Sequence, residues 1–177
     1  MDSQASKHIA WCLKKAEKEI EELKKQGKRT RHRGLLKIEP DKKLALGHLE
    51  KAKHNLEVFR LLRKNNSSDW CITVGFYVLY HCFLGIAVKH GYESRNQTCT
   101  IALIELLQEQ EKISISKEII NFMKYEENEK DQEDSLIELR ENYTYGVNLE
   151  VKDEEQIDKI EKLCVEFIDI VKDIVYE

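Results

Sequence analysis

The sequence has few of the residues that break regular secondary structure, with one proline and seven glycines among 177 residues. A β-sandwich or barrel needs a turn signal every ~8–12 residues, and glycine and proline supply many of those turns. Their scarcity argues against the all-β classes, and no segment shows the alternation of apolar and polar residues that predicts a strand. We therefore predict an all-α fold.

Signals for export and membrane insertion are also lacking. The N-terminus, MDSQASKHIAWCLKK, has no basic stretch followed by an apolar run, so it does not resemble a signal peptide. We identify no segment as a membrane span, which requires ~18 apolar, uncharged residues. We expect a cytoplasmic protein with no membrane partner.

Cysteine is present but not in pairs that indicate cross-linking. The five cysteines form no C-x-x-C pair, and we expect them to be small buried hydrophobic residues rather than a disulfide scaffold or a zinc site (Cys12, Cys71, Cys82, Cys99 and Cys164). The sequence also contains no Gly-rich phosphate loop, no G-x-S-x-G elbow and no H-E-x-x-H motif. We therefore predict no metal and no cofactor.

Helical periodicity is the dominant positive signal. An amphipathic stripe predicts a helix over 6–26, and a second stripe begins at Pro40 or Asp41 and runs to about Lys64. Shorter helices follow, one capped by Thr98, and a last amphipathic helix is capped by Asp153. We divide the chain into an N-terminal helix with a basic loop over 1–40 and a helical bundle over 41–177.

The segment over 70–90 is apolar nearly all round, which predicts a central helix surrounded by others. Gly75 and Gly85 lie inside it, where each costs up to about 1 kcal/mol relative to alanine. We interpret both as sites where a neighbouring helix approaches closely. His81, in the same helix, is interpreted as a structural core residue.

Charge is unevenly distributed along the chain. Residues 1–64 hold 18 Lys and Arg against 9 Asp and Glu, whereas residues 65–177 hold 11 against 24. The basic loop over 24–33 has six Lys or Arg and no acid, and a strongly acidic stretch covers 125–134. This asymmetry predicts an association surface with one basic face and one acidic face.

Two polar segments are candidate anion sites. The dense cationic patch comprises Arg29, Arg31, His32 and Arg33. Its three arginines are candidates for contacts with RNA phosphates, or else the patch is a solvated loop that balances the acidic half of the protein or of its partner. Arg95 and Asn96 precede a predicted helix N-terminus, where free N–H groups favour an anion; the alternative is an ordinary capping loop.

The order of these elements resembles a known family. The segment over 76–87, FYVLYHCFLGIA, followed by KHGYE over 89–93, is similar to the central helix and exit turn of HEPN domains. The segment over 136–145, LIELRENYTY, resembles the "L-x-x-L-R-x-x-A-D-Y" segment of that family. The similarity covers roughly 44–176.

The resemblance implies an up-and-down helical bundle, commonly a homodimer, with an extra N-terminal helix here. Many HEPN proteins are toxin ribonucleases encoded beside a nucleotidyltransferase antitoxin, and they use an R-x4–6-H motif without metal. Arg140 matches the arginine, but Tyr145 stands at a histidine position, and no histidine follows His90. Asn142 and Tyr143 are the accompanying candidates for RNA or nucleotide contact.

Two functions follow as hypotheses. The first is an RNA- or nucleotide-associated HEPN protein of a toxin–antitoxin or defence type system, weak or inactive as a ribonuclease. The second is a non-catalytic helical adaptor that binds a nucleotidyltransferase or another protein through its acidic face. For the individual residues, Arg140 could instead be an ion-paired bundle residue, and Tyr145 a hydrogen-bonded core tyrosine.

Overall fold

The computed structural model describes residues 3–124 and 135–177, and it confirms the all-α prediction. The acidic stretch over 125–134 lies outside the described residues. In chain order the elements are α1 (Gln4–Lys25), β1 (Leu35–Lys37), α2 (Lys42–Lys64), α3 (Ser68–Lys89), β2 (Tyr92–Ser94), α4 (Gln97–Glu109), α5 (Lys117–Phe122), α6 (Leu136–Tyr145) and α7 (Glu154–Tyr176).

Helix α3 is the centre of the bundle, as predicted, and it packs against α2, α4, α6 and α7. The expectation that no segment resembles a membrane span is wrong for α3. By its length and composition alone, this helix is long and apolar enough to cross a bilayer. Its most apolar window is 67% buried inside the protein. Burial among the other helices therefore accounts for its apolar character.

Both glycines of α3 lie at close helix–helix contacts, as predicted. A Cβ at Gly75 would lie 2.6 Å from Cγ2 of Ile160 on α7, closer than carbon atoms approach. A Cβ at Gly85 would lie 3.3 Å from the carbonyl oxygen of Ala45 on α2. These two positions let α2 and α7 approach the α3 backbone.

A small sheet was not predicted. Strands β1 and β2 have three residues each and pair antiparallel, with Leu35 opposite Ser94. Strands this short cannot show a recognisable alternation of apolar and polar residues. The pairing brings the end of the basic loop beside the segment that leads into α4.

The prediction that the cysteines form no cross-link is wrong for one pair. Cys12 of α1 and Cys99 of α4 form a disulfide across 87 residues. Sequence spacing gave no sign of it because the two helices meet only in the folded bundle. In the chain-entropy view, a loop of this size contributes about 4–5 kcal/mol to stability. Cys71, Cys82 and Cys164 are free and buried, as predicted.

Candidate functional site

Cationic side chains from two distant parts of the chain meet at one cavity. The cavity has a volume of about 510 Å³ and is lined by Lys28, Arg29 and Arg31 of the basic loop together with Arg95. Leu23 and Thr30 complete the lining, and we call this the basic pocket. Three residues that the sequence proposed as two separate phosphate contacts, Arg29, Arg31 and Arg95, thus belong to one site.

The β1–β2 pairing places Arg95 beside the basic loop. The backbone N–H of Arg95 donates to the carbonyl oxygen of Gly34 at 3.0 Å, and Gly34 directly precedes β1. A Cβ at Gly34 would lie 2.5 Å from the carbonyl oxygen of Cys12, so only glycine lets the loop pass this close to α1. The loop is therefore held between α1 and the start of α4.

Glu93 anchors both sides of the basic pocket. Its Oε1 accepts a hydrogen bond from Nε of Arg95 at 2.7 Å and lies 3.3 Å from Nε2 of the buried His32. Sequence analysis placed His32 in the cationic patch but gave Glu93 no role, because 61 residues separate the two and only the fold brings them together. Glu93 fixes the orientation of the Arg95 guanidinium while leaving its outer nitrogens for a ligand.

The basic pocket carries excess positive charge. Among the residues that the structure describes, Lys28, Arg29 and Arg31 form no ion pair, and all three are exposed. Arg33 differs, since its Nε lies 3.5 Å from Oε1 of Glu19 on α1. Arg33, proposed with its neighbours as a phosphate contact, therefore lies outside the pocket lining and is partly neutralised.

Asn96 serves as the N-cap of α4. Its Oδ1 accepts a hydrogen bond from the Cys99 N–H at 2.9 Å, so α4 begins earlier than the predicted Thr98 cap. The Asn96 carbonyl oxygen also accepts from the hydroxyls of Ser94 and Thr100. The capping alternative therefore describes the Asn96 side chain, while Arg95 beside it lines the basic pocket.

Arg140 packs against an aromatic ring, and its ion-pair partner among the described residues is Glu141. Its guanidinium carbon lies 4.6 Å from the centre of the Phe76 ring, and Nη2 donates to Glu141 at 3.3 Å. Phe76 in turn stacks on Tyr80 with ring centres 5.7 Å apart. The Arg140 side chain is 18% exposed, so its outer edge reaches solvent.

Tyr145 and Arg140 face different directions. Helix α6 continues to Tyr145, so five helical steps place the two residues about 140° apart around the helix axis. Tyr145 is 82% exposed, which contradicts its interpretation as a core tyrosine. Tyr143 is half-buried against the core, nearer to the Arg140 face, and Asn142 is exposed.

A histidine pair connects α2 and α3. Nδ1 of His48 lies 3.1 Å from Nδ1 of His81, so one ring must donate a proton that the other accepts. Burial, then the neighbouring His48 and the Lys51 ammonium, lower the pKa of His81 to about 4, and burial lowers the pKa of His48. Both rings are therefore neutral at pH 7, in agreement with a structural role for His81.

Exposed apolar side chains gather beside α6. Five large apolar residues are between 42% and 93% exposed, and we call them the apolar patch (Trp70, Tyr77, Tyr145, Val147 and Leu149). Trp70 and Tyr77 are seven residues apart on α3, which places them on one face of the helix. Sequence analysis gave Tyr145 a catalytic position and proposed no role for the others.

Two hydrogen bonds attach the two ends of the segment over 144–151 to α3. The hydroxyls of Thr73 on α3 and Thr144 on α6 lie 2.9 Å apart. The Val151 N–H donates to the Ser68 hydroxyl at 2.8 Å. The segment over 145–149 therefore runs alongside the N-terminal half of α3, the helix that carries Trp70 and Tyr77.

The chain matches no protein-family model and no curated protein.

Proposed function

We propose that this chain is a HEPN-type protein of a toxin–antitoxin or defence type system, and that it binds RNA or nucleotides by their phosphates at the basic pocket. The observation that carries the proposal is the convergence of Arg29, Arg31 and Arg95 on one cavity. Bringing Arg95 beside the cationic side chains of the basic loop costs free energy, because like charges repel one another. A bound anion offsets that cost.

The lining of the basic pocket favours phosphate over base recognition. Guanidinium groups match phosphate oxygens in fork geometry, and Lys28 adds a point charge. The lining contains no aromatic side chain on which a base would stack. We therefore expect binding that depends strongly on salt and weakly on RNA sequence.

The residues around Arg140 do not favour RNA cleavage. Tyr145 stands where the family motif has a histidine, and a neutral phenol is a weaker general base than an imidazole. Tyr145 also faces away from Arg140 within the chain. We propose that the protein cleaves RNA weakly or not at all in the absence of metal, and that Tyr145→His increases cleavage only where a second chain brings residue 145 to an Arg140 guanidinium.

Fluorescence anisotropy with a short single-stranded RNA of mixed sequence tests the binding proposal. Replacing Arg29, Arg31 and Arg95 by alanine should weaken binding equally for unrelated sequences. The slope of log K against log salt should fall by up to about 2, at ~0.7 for each lost phosphate contact.

The matched control replaces Lys117, Lys152 and Lys172 by alanine. These exposed lysines lie elsewhere on the molecule, and their loss changes the net charge by the same amount. Equal weakening by the two triple variants would show that binding follows net charge only and would remove the basic pocket from the proposal.

The apolar patch favours a second candidate function, that of an adaptor. An exposed apolar surface marks a protein–protein contact more often than a nucleic-acid contact. A homodimer or a nucleotidyltransferase partner would cover it. This role and RNA binding use different surfaces, so each can be tested without the other.

A further inference from the structure

We propose that reduction of the Cys12–Cys99 disulfide converts this position into a zinc site, with His8 as the third protein ligand. One ligand atom from each of His8, Cys12 and Cys99 lies within 4.8 Å of the others. His8 and Cys12 are four residues apart on α1 and so share a face of that helix. Cys99 reaches them from the first turn of α4.

The geometry is within reach of a tetrahedral zinc ion. Zinc binds thiolate sulfur at ~2.3 Å and imidazole nitrogen at ~2.0–2.1 Å, which places neighbouring ligand atoms about 3.5–4 Å apart. The Cα atoms of Cys12 and Cys99 are 5.9 Å apart, so rotation of the two side chains separates the sulfurs without movement of either helix. Three protein ligands leave the fourth position to water.

The surroundings place His8 at a cavity and Cys99 at the N-terminal end of a helix. His8 lines a cavity of about 410 Å³ that also borders Gln97 and Thr98 at the start of α4. The N-terminal end of a helix stabilises negative charge, and Cys99 lies in the first turn of this 13-residue helix. The His8 side of the site therefore borders a cavity, while Cys12 and Cys99 are fully buried behind it.

The remaining thiols do not offer an alternative site. Cys71, Cys82 and Cys164 are buried, as Cys12 and Cys99 are, so burial alone does not separate them from the proposed ligands. Among the described residues, no other group of three His, Cys, Asp or Glu side chains has the compactness of the His8 group.

The chemistry balances with a dithiol as the reductant. Two electrons and two protons pass from the dithiol to the Cys12–Cys99 bond, giving two thiols, while the dithiol closes to its own disulfide. Zinc then displaces one proton from each thiol to solvent and stays divalent throughout. The two helices remain linked in both states, first by a covalent bond and then by the metal.

Cobalt(II) and zinc binding to the wild-type chain test the proposal. We expect the dithiol-reduced protein, freed of reductant, to bind one cobalt ion and to show the charge-transfer absorption of cobalt–thiolate bonds. The oxidised protein should show neither. In competition with a chromophoric chelator, His8→Ala should weaken zinc binding by at least about tenfold, given that even groups outside the ligand set change affinity 10–100-fold.

His54→Ala is the matched control, because His54 is exposed on α2, and it should leave zinc affinity unchanged. Circular dichroism of the reduced wild-type chain tests whether the helices persist. The proposal would be overturned by equal zinc binding in the oxidised and reduced forms, by the absence of the cobalt–thiolate band, or by unfolding on reduction that zinc does not reverse.

Discussion

Arg140 packs on the face of Phe76, and this contact determines how much its removal lowers the free energy of unfolding. A cation over an aromatic ring contributes about 0.5–2 kcal/mol, whereas breaking a buried ion pair costs about 3–5 kcal/mol. We expect Arg140→Ala to lower the free energy of unfolding by about 1–2 kcal/mol in urea denaturation. Lys117→Ala, at an exposed position on α5, should change it by less than about 0.5 kcal/mol.

A loss of more than about 3 kcal/mol in Arg140→Ala would contradict this account and support the ion-pair interpretation. Arg140→Lys adds a further comparison, because it retains the charge but removes the planar group that lies over Phe76. It should fall between wild type and Arg140→Ala.

The His48–His81 pair predicts a particular dependence of stability on pH. The pKa of His81 is about 4 in the folded chain and near 6.5 in the unfolded chain, so the unfolded state binds the extra proton between these values. Stability due to this pair is complete above pH 6.5 and declines as the pH falls toward 4. In His81→Gln, the decline in the free energy of unfolding between pH 6.5 and 4.5 should be smaller than in wild type.

Urea denaturation at several pH values provides the measurement. His54→Gln is the control, because its exposed ring should leave the wild-type pH dependence unchanged. If His81→Gln lost stability with falling pH as steeply as wild type, the pair would not be the cause.

At the scale of the elements, the glycines of two helices predict opposite effects of the same substitution. Gly75→Ala places a methyl group against Ile160, whose β-branched side chain has little freedom to move. We expect overpacking to exceed the gain in helix propensity, so that the free energy of unfolding falls by about 1–2 kcal/mol.

Gly47→Ala on α2 is the matched control. A Cβ at Gly47 would contact nothing within 4 Å, so helix propensity alone acts, and stability should rise by about 0.5–1 kcal/mol. Thermal unfolding of both variants distinguishes these effects. A stabilised Gly75→Ala variant would show that α3 and α7 do not approach as closely as described.

The elements differ in how far the sequence predicts them. Helix α3 and the cap at Asp153 follow from local signals, namely all-round apolarity and a capping side chain. The β1–β2 pairing depends on residues more than 50 positions apart, and three-residue strands show no pattern of their own. The disulfide was missed for the same reason, because its partners come close only when α1 packs on α4.

The candidate sites also combine features that local sequence predicts with features that only the fold creates. Arg29, Arg31 and Arg95 were recognised from local charge and from a helix start, but their convergence on one cavity required the fold. The orientation of Tyr145 depended on whether α6 continues past Asn142, which the sequence left open. Exposure of the apolar patch could not be predicted, because apolar residues near a buried helix are expected to be buried themselves.

At the scale of the whole molecule, the apolar patch predicts self-association. We expect light scattering at micromolar concentration to give a dimer of the 20.9 kDa chain. Replacing Val147 and Leu149 by lysine should shift it toward monomer by placing charge in a surface that association would desolvate.

The matched control is Leu61→Lys, since Leu61 is 60% exposed on α2 outside the patch. Dimerisation should persist in that variant. A monomer in wild type, or an unaltered dimer in the Val147→Lys, Leu149→Lys variant, would remove the patch as a self-association surface.

The Cys12–Cys99 disulfide also has a topological consequence for the intact chain. The exposed Arg29 and Arg31 lie between the linked cysteines, in a loop that trypsin can reach. A single cut there leaves α1 covalently attached to the rest of the molecule through α4. The cut protein should therefore migrate as one species in denaturing gels without reductant and as two fragments after reduction. The disulfide thus keeps the molecule in one piece after its backbone has been cut.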